Sequence, residues 1–212
     1  MTGVLIALTA IILGWFAVGS TVNVRKGHAA LRWLQGGLPL LGERTTVRWL
    51  GTTAIDMRIA NPKPPVEQAA VVVFLEPRDL PWLWLLSRNR GRRDTLIIRA
   101  RLRHAPAEEL EIIDQASWSG RDAQRRIGEK RWSIREAASP GDLTVYYKFP
   151  RSLERADALI ALARGRGLSV RRLALHPEDV HLELHADLPA PAVSAADFFT
   201  AVRAIGERAC SA

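Results

Sequence analysis

Residues 4–24 read Val-Leu-Ile-Ala-Leu-Thr-Ala-Ile-Ile-Leu-Gly-Trp-Phe-Ala-Val-Gly-Ser-Thr-Val-Asn-Val, and the rest of the chain is organised around this stretch. It contains no charged side chain. As an α-helix it would be about 31 Å long, which is enough to cross the hydrocarbon core of a bilayer. The sequence that follows is polar and strongly basic. The pattern predicts a transmembrane helix over residues 1–24, followed by a basic domain.

The charges that flank the apolar stretch predict its orientation. Residues 1–3 carry no basic side chain, whereas Arg25, Lys26 and Arg32 follow the stretch closely. Basic residues next to a membrane segment stay on the cytoplasmic side. We therefore expect a cell-membrane protein with its amino terminus outside and its domain in the cytoplasm. The alternative is a signal peptide cleaved at residues 17–19, although the basic region that normally begins such peptides is missing.

The composition limits the partners of the domain. The 212 residues have a formal net charge of +8, and the single cysteine, Cys210, has no second cysteine with which to form an internal disulfide. An excess of Arg and Lys favours an anionic neighbour. For a domain held at a membrane surface, we expect anionic lipid head groups and other membrane-protein subunits as partners, rather than nucleic acid.

Residues 25–65 are predicted to connect the membrane helix to the domain. The Gly-Gly pair and the proline within residues 25–41 argue against a single helix there. They favour either a short turn at the membrane surface or a connector packed on the domain. Residues 53–60 alternate between apolar and polar side chains, which is typical of a half-buried strand. Residues 61–65, Asn-Pro-Lys-Pro-Pro, are predicted to be a stiff linker.

An internal repeat gives the clearest indication of the fold. Strand-like runs at residues 69–76 and 143–149 lead into Pro77-Arg-Asp and Pro150-Arg-Ser, which lie 73 residues apart. The side chains of Asp79 and Ser152 are suitable N-caps for the helices that follow. An Arg/Gly cluster, two strands and a helix then recur in both copies. Ser119 and Ser194 each begin a Ser-x-x-Asp helix start, so both copies have the order β-α-β-β-α.

The repeat predicts an α+β fold with tandem ferredoxin-like (βαββα) units after the transmembrane helix. Such a unit is an antiparallel sheet with two helices on one face. The first unit is predicted over residues 66–140, including a closing strand at residues 131–137. The second is predicted over residues 141–212 and lacks a last strand. We expect residues 53–60 to supply that edge.

The sequence contains no motif that indicates catalysis or a bound cofactor. It has no Gly-rich phosphate loop, nucleophile elbow or metal-binding Cys/His spacing. His181 and His185 would lie about 13 Å apart on a strand, and His176 would reach them only through a turn, so a metal site is disfavoured. RNA binding is disfavoured because the strand at residues 109–114 has no aromatic side chain on which a base could stack.

A surface on the first unit is the predicted interaction site. The spacing of the equivalent helix in the second unit predicts that Leu80, Leu83 and Leu86 face the sheet. It places Trp82 and Trp84 outward. The predicted surface consists of Trp82, Trp84, Arg88, Arg90, Arg92, Arg93, Arg99, Arg101 and Arg103. Aromatic rings bordered by arginine are typical of binding surfaces and of membrane interfaces. The alternative is that Pro81 shifts the helix start and both rings join the core.

These patterns favour a protein that works by contact rather than an enzyme. We expect a single-pass, membrane-anchored accessory or scaffolding subunit of a membrane protein assembly, with no cofactor. The alternative is a membrane-tethered regulatory domain that binds a small ligand between its two units. Such ligand sites rest largely on backbone contacts, which leave little trace in a sequence.

Overall fold

A computed structural model of the protein describes residues 2–128, 130–138, 142–178, 180–190 and 192–210. The described part is α+β, with a long apolar helix at its amino terminus. In chain order the elements are α1 (Thr2–Gln35), a 3₁₀ turn (Leu38–Leu40), β1 (Gly42–Leu50), β2 (Ala54–Pro62), β3 (Val66–Phe74), α2 (Pro81–Asn89), β4 (Thr95–Leu102), β5 (Leu110–Ile113), α3 (Trp118–Ile127), β6 (Ser133–Arg135), β7 (Thr144–Tyr147), α4 (Ser152–Gly165), β8 (Val170–Leu175), β9 (Leu182–Asp187) and α5 (Ala195–Cys210).

The described strands form one antiparallel sheet. Its order is β1-β2-β3-β4-β9-β8-β5-β7-β6. Strands β8 and β9 from the second repeat lie between β4 and β5 from the first, because β4 pairs with β9 and β5 pairs with β8. The two repeats therefore contribute strands to one shared sheet, and neither forms a separate sheet.

The α+β class and the order of elements in each repeat agree with the prediction, but tandem ferredoxin-like units are not confirmed. In a split β-α-β arrangement, another strand lies between the two strands that a helix joins. Strands β3 and β4, joined by α2, pair directly with each other. Strands β7 and β8, joined by α4, are separated by β5, which belongs to the first repeat. The split arrangement thus occurs across the repeats.

The region before the repeat differs most from its prediction. Helix α1 continues past residue 24 and ends at Gln35, directly before the Gly-Gly pair. Strand β1 was not predicted. Strand β2 pairs with β1 and β3, so the expectation that residues 53–60 complete the second unit is wrong. Residues 61–65 are not a linker between domains, because they end β2 and lead directly into β3.

The helix starts agree with the predicted caps only in part. The Ser194 hydroxyl accepts a hydrogen bond from the backbone of α5, as predicted. Ser117 rather than Ser119 caps α3. Helix α2 begins at Pro81, after the predicted cap Asp79, and α4 begins at Ser152 with no side-chain cap.

The two faces of the sheet differ in character. Alternate side chains such as Leu96, Ile98 and Leu184 are buried in the main core with α4, α5 and the second half of α1. The opposite face is partly covered by α3, which packs on β5 and β8. This second face carries charged side chains, and Glu111 and Arg172 are buried on it as an ion pair with N–O 2.8 Å. We call it the charged face.

Candidate membrane-docking surface and cavity

Helix α1 has two halves with different surroundings. The side chains of residues 2–18 are exposed. In the second half, one side is buried at a spacing of three or four residues, which places the buried residues on one helical face. These residues are Gly19, Asn23, Gly27, Ala30 and Leu34. Among the helices of the described residues, α1 is the one long and apolar enough to cross a membrane.

Helix α2 exposes nearly all of its apolar side chains. All nine of its residues are described, and none is buried. The exposed fractions of Trp82, Leu85 and Leu86 are 58%, 56% and 48%. Leu83 is also exposed, so the prediction that Leu83 and Leu86 face the sheet is wrong. Because α2 joins two neighbouring strands, it stays at the end of the sheet and does not cross a face.

The segment that leads into α2 packs against α1 where the two halves of α1 meet. The Trp15 indole Nε1 donates a hydrogen bond to the Arg78 carbonyl oxygen at 2.9 Å. Gly19 lies so close to Arg78 that a Cβ atom would overlap that oxygen, so glycine is required here. Trp15, Val18 and Trp84 line one shallow groove between the helices. The exposed apolar residues of α1 and α2 therefore lie side by side, and we call them together the docking surface.

Asp94 holds α1 and the α2 segment together beside this surface. Its carboxylate accepts hydrogen bonds from Arg78 at 2.8 and 2.9 Å and from Lys26 of α1 at 2.7 Å. Burial alone would raise the pKa of Asp94. The hydrogen bonds from Arg78, Lys26 and the Glu76 amide outweigh burial and hold that pKa below its usual value. Asp94 is therefore ionised over the physiological pH range.

Trp82 and Trp84, both predicted to point outward, have different environments. Trp82 has the highest exposed fraction among the exposed apolar side chains of α2. Trp84 is half-buried, and its indole donates a hydrogen bond to the buried Glu76 carboxylate at 2.5 Å. Arg88 also binds Glu76, at 3.2 Å, and its guanidinium lies 5.7 Å from the centre of the Trp84 ring. Trp84 thus fixes α2 in place, whereas Trp82 is free to contact a partner.

The predicted arginines do not form one continuous patch. They fall into four groups: Arg88 beside Glu76, Arg90 in the α2–β4 loop, Arg92, Arg93 and Arg99 around a cavity, and Arg101 and Arg103 at the far end of β4. Arg101 forms an exposed ion pair with Glu67 at 3.2 Å. Such pairs contribute little free energy and are typical of a solvated surface.

The cavity lies on the charged face, at the end of the sheet nearest α2. Its volume is about 250 Å³. Strands β4 and β9 line its floor, and the α2–β4 loop and the first turns of α3 form its walls. Five arginines line the cavity together with three carboxylates, Trp118 and His185.

The floor of the cavity is a tightly paired set of charges. Burial opposes ionisation of Glu183, but His185, Arg172 and Arg99 outweigh it and lower the pKa of Glu183 to about 2. Burial lowers the pKa of His185, so its imidazole is neutral. Its Nε2 lies 2.7 Å from Glu183 and donates to that carboxylate. Its Nδ1 is buried and has no hydrogen-bond partner among the described residues.

Arg92 and Arg93 differ from the arginines of the floor. Within the described ranges, neither has a carboxylate at ion-pair distance. Arg92 is half-buried, and its guanidinium lies 5.8 Å from the centre of the Trp118 ring. Burial lowers the pKa of Arg92, and the charge of Glu76 opposes that effect only in part. Arg93 donates hydrogen bonds to the carbonyl oxygens of Arg88 and Arg92 at 2.9 and 2.8 Å.

Sequence reasoning identified one wall of the cavity and missed the other. Trp118, Ser119 and Arg126 of α3 were not predicted as site residues, and neither was Glu183. The available signal was the polar alternation of β9, in which Glu183 lies between the two histidines that the sequence analysis considered only for a metal site.

The histidines considered for a metal site have separate partners. His181 Nδ1 lies against the backbone of Leu102, 3.1 Å from its amide nitrogen and 3.0 Å from its carbonyl oxygen, whereas His185 binds Glu183. Among the residues that the structure describes, no three His, Cys, Asp or Glu side chains are grouped to hold a metal ion.

The chain matches no protein-family model and no curated protein.

Proposed function

We propose that the protein is a single-pass membrane protein whose basic domain is held against the cytoplasmic surface and acts there by contact, as an accessory or scaffolding subunit of a membrane assembly. The docking surface is the main support. Residues 2–18 of α1 and the apolar side chains of α2 are exposed side by side. An apolar surface of this kind is typical of a site that contacts a membrane or another protein.

A bilayer fits the dimensions of the docking surface. Seventeen helical residues are about 26 Å long, close to the thickness of the hydrocarbon core. Because Gly19 contacts Arg78 at the end of this stretch, a membrane span over residues 2–18 would put α2 at the depth where tryptophan is enriched. Arg25 and Lys26 follow within two turns of Gly19, where basic side chains reach anionic head groups.

The proposed anchor and the domain are connected by one continuous helix. Such a connection suits a subunit that holds its contact surface at a fixed distance from the membrane. Helix α1 runs without a break from the proposed span into the core, where Leu34 is fully buried. Trp15 precedes the possible cleavage site at residues 17–19, and Gly19 belongs to that site. Both residues contact Arg78. Cleavage there would remove the Trp15 contact, so the geometry favours a retained anchor over a signal peptide.

Cysteine labelling in nanodiscs tests the membrane placement. In a Cys210→Ser background, Leu85→Cys should react with a water-soluble maleimide at least tenfold more slowly than Glu154→Cys, an exposed position on α4. The lipid would shield α2 but not α4. Equal rates would overturn the proposed placement of α2.

Two further measurements test the orientation and the contact role. A reporter that is active only outside the cytoplasm, fused at the carboxy terminus, should be silent. Purification in mild detergent should yield stable membrane subunits with the wild-type chain, and Trp82→Arg should reduce their recovery. A monodisperse monomer that no membrane subunit accompanies would contradict the accessory role.

A membrane-tethered ligand-binding domain is the second candidate function. The cavity on the charged face is the observation that favours it, because a partly enclosed site in which apolar side chains such as Ile97 and Trp118 lie beside charged groups is typical of ligand recognition.

A further inference from the structure

The cavity has more positive charge than its own carboxylates neutralise. Three of its arginines have carboxylate partners: Arg99 with Glu183, Arg126 with Asp122 and Arg171 with Asp187. These pairs use all three carboxylates of the lining. Arg92 and Arg93 then remain without a carboxylate in the part of the chain that the structure describes. The cavity therefore attracts anions.

Arg92 is more buried than is usual for an arginine on a solvated surface. Its guanidinium is half-buried against the Trp118 ring, although an arginine in a loop can easily extend into water. Burying a cation without a counter-ion costs free energy. A bound anion would offset that cost, while Trp118 and Ile97, which also line the cavity, could contact a non-polar part of the ligand that carries the anion.

The loop that carries Arg92 and Arg93 is fastened to α3. Arg121 donates hydrogen bonds to the carbonyl oxygens of Arg90 and Ala116 and so bridges the two walls. Gly91 has φ +70° and lies against Ala116, where a side chain would not fit. Both arginines are thereby held opposite the first turn of α3 before any ligand arrives.

Phosphate is the anion that this arrangement suits best. Guanidinium groups bind phosphate oxygens through parallel hydrogen bonds. The first amides of a helix have no partner within the helix and also favour phosphate. In the first turn of α3 the Ser117 hydroxyl already accepts a hydrogen bond from the Gly120 amide, so the amides that could bind phosphate are those of Trp118 and Ser119, two residues that line the cavity. We propose that the cavity binds a small phosphate-bearing ligand, with its phosphate between Arg92, Arg93 and the first turn of α3.

Two sources can supply this phosphate: a soluble phosphate compound or the head group of an anionic lipid. The α2–β4 loop ends at Asp94, which binds Lys26 of α1. The cavity therefore lies at the end of the sheet nearest the proposed membrane surface. Only the lipid source rests on the membrane placement proposed above, because a soluble phosphate could reach the cavity in either case.

Thermal unfolding of the full-length protein in maltoside micelles tests the site. The probes are inorganic phosphate and phosphatidic acid added to the micelles, each at constant ionic strength. Ligands that bind the folded state raise the midpoint temperature. Arg92→Gln should weaken the response at least tenfold, and Arg92→Lys, which keeps the charge but loses the planar fork, should weaken it less. Arg103→Gln removes the same charge from an exposed position outside the cavity and should respond as the wild type does.

Each outcome of this experiment bears on the site. A response to inorganic phosphate that depends on Arg92 supports a soluble phosphate ligand. A response to phosphatidic acid alone that depends on Arg92 supports a lipid head group. No response of the wild type to either probe, or an equal loss in Arg92→Gln and Arg103→Gln, overturns the proposal. The labelling of Leu85→Cys is independent of these results, so failure of the membrane placement would be recognised separately.

Discussion

Helices α2 and α4 occupy the same place in the two repeats, but only α4 packs on the sheet. Each follows the first strand of its repeat, and the two sequences correspond at an offset of 73 residues. Ala156, Leu159 and Ala163 of α4 are buried. Leu159 is fully buried, whereas the corresponding Leu86 of α2 is 48% exposed. One connection therefore builds the core, while its counterpart leaves most of its apolar side chains exposed.

The cause of this difference lies in the order of the strands. Helix α4 joins β7 and β8, which run parallel with β5 between them. A parallel connection has to cross the face of the sheet, so α4 buries one side. Helix α2 joins β3 and β4, which are antiparallel neighbours. No crossing is needed there, and α2 remains at the sheet end beside α1.

The sharpest test of this difference is a matched pair of leucine substitutions. Leu159→Ala should lower the free energy of unfolding by about 2–5 kcal/mol, because it removes a fully buried side chain from the core. Leu86→Ala should lower it by less than about 0.5 kcal/mol, since an exposed side chain contributes little. Denaturant titration of the full chain in maltoside micelles measures both. Similar losses would mean that α2 and α4 are equally part of the core.

A second test concerns the contact that places α2 beside α1. Gly19→Ala should lower the free energy of unfolding by about 1–3 kcal/mol, because the added Cβ overlaps the Arg78 carbonyl oxygen. Gly14 is the control, since no atom lies within 4 Å of a Cβ placed there. Gly14→Ala should cause no loss. Faster maleimide labelling of Leu85→Cys in the Gly19→Ala protein would show that α2 has moved away from α1.

The smallest expected effect depends on pH. The pKa of Asp94 lies below its unfolded value of about 4. Its contribution to stability is thus present above about pH 4 and is lost as the pH falls through the folded value. Asp94→Asn should cost about 1 kcal/mol at neutral pH, because Lys26 is partly exposed and Arg78 still contacts Glu76.

The pH test has an internal comparison. The difference in stability between wild type and Asp94→Asn should shrink below about pH 4, whereas the loss in Leu159→Ala should stay constant, since apolar packing does not titrate. Denaturant titrations at several pH values measure both. A constant difference for Asp94→Asn would show that its carboxylate does not hold α2 to α1.

Local patterns in the sequence predicted the elements better than their pairing. The apolar first helix and the alternation of β2 were predicted because each depends on its own residues. The strand order was not, because β8 and β9 reach β4 and β5 through contacts that are distant in sequence. Strand β1 was missed because most of its side chains on both faces are exposed, and it therefore has no apolar alternation.

The candidate site was predicted in part for the same reason. The arginine-rich loop stood out by composition, and Arg92 and Arg93 do line the cavity. Trp118 and Ser119 become part of the site only because the shared sheet brings α3 next to that loop. The leucines of α2 were predicted to face the sheet because their positions were inferred from those of α4 at an offset of 73 residues. That inference fails because α2 joins neighbouring strands, whereas α4 joins strands that another strand separates.

The continuity of α1 also has a mechanical consequence. Each residue of an α-helix advances the chain by about 1.5 Å and turns it by about 100°. One residue inserted between Val18 and Gly19 would rotate the proposed span by about 100° relative to the sheet. Seven inserted residues would nearly restore the original orientation of the span and would lengthen the helix by about 10 Å. A neighbouring membrane helix that turns the span would turn the whole domain with it. In the proposed placement, α1 would therefore transmit rotation to the domain as well as anchor it.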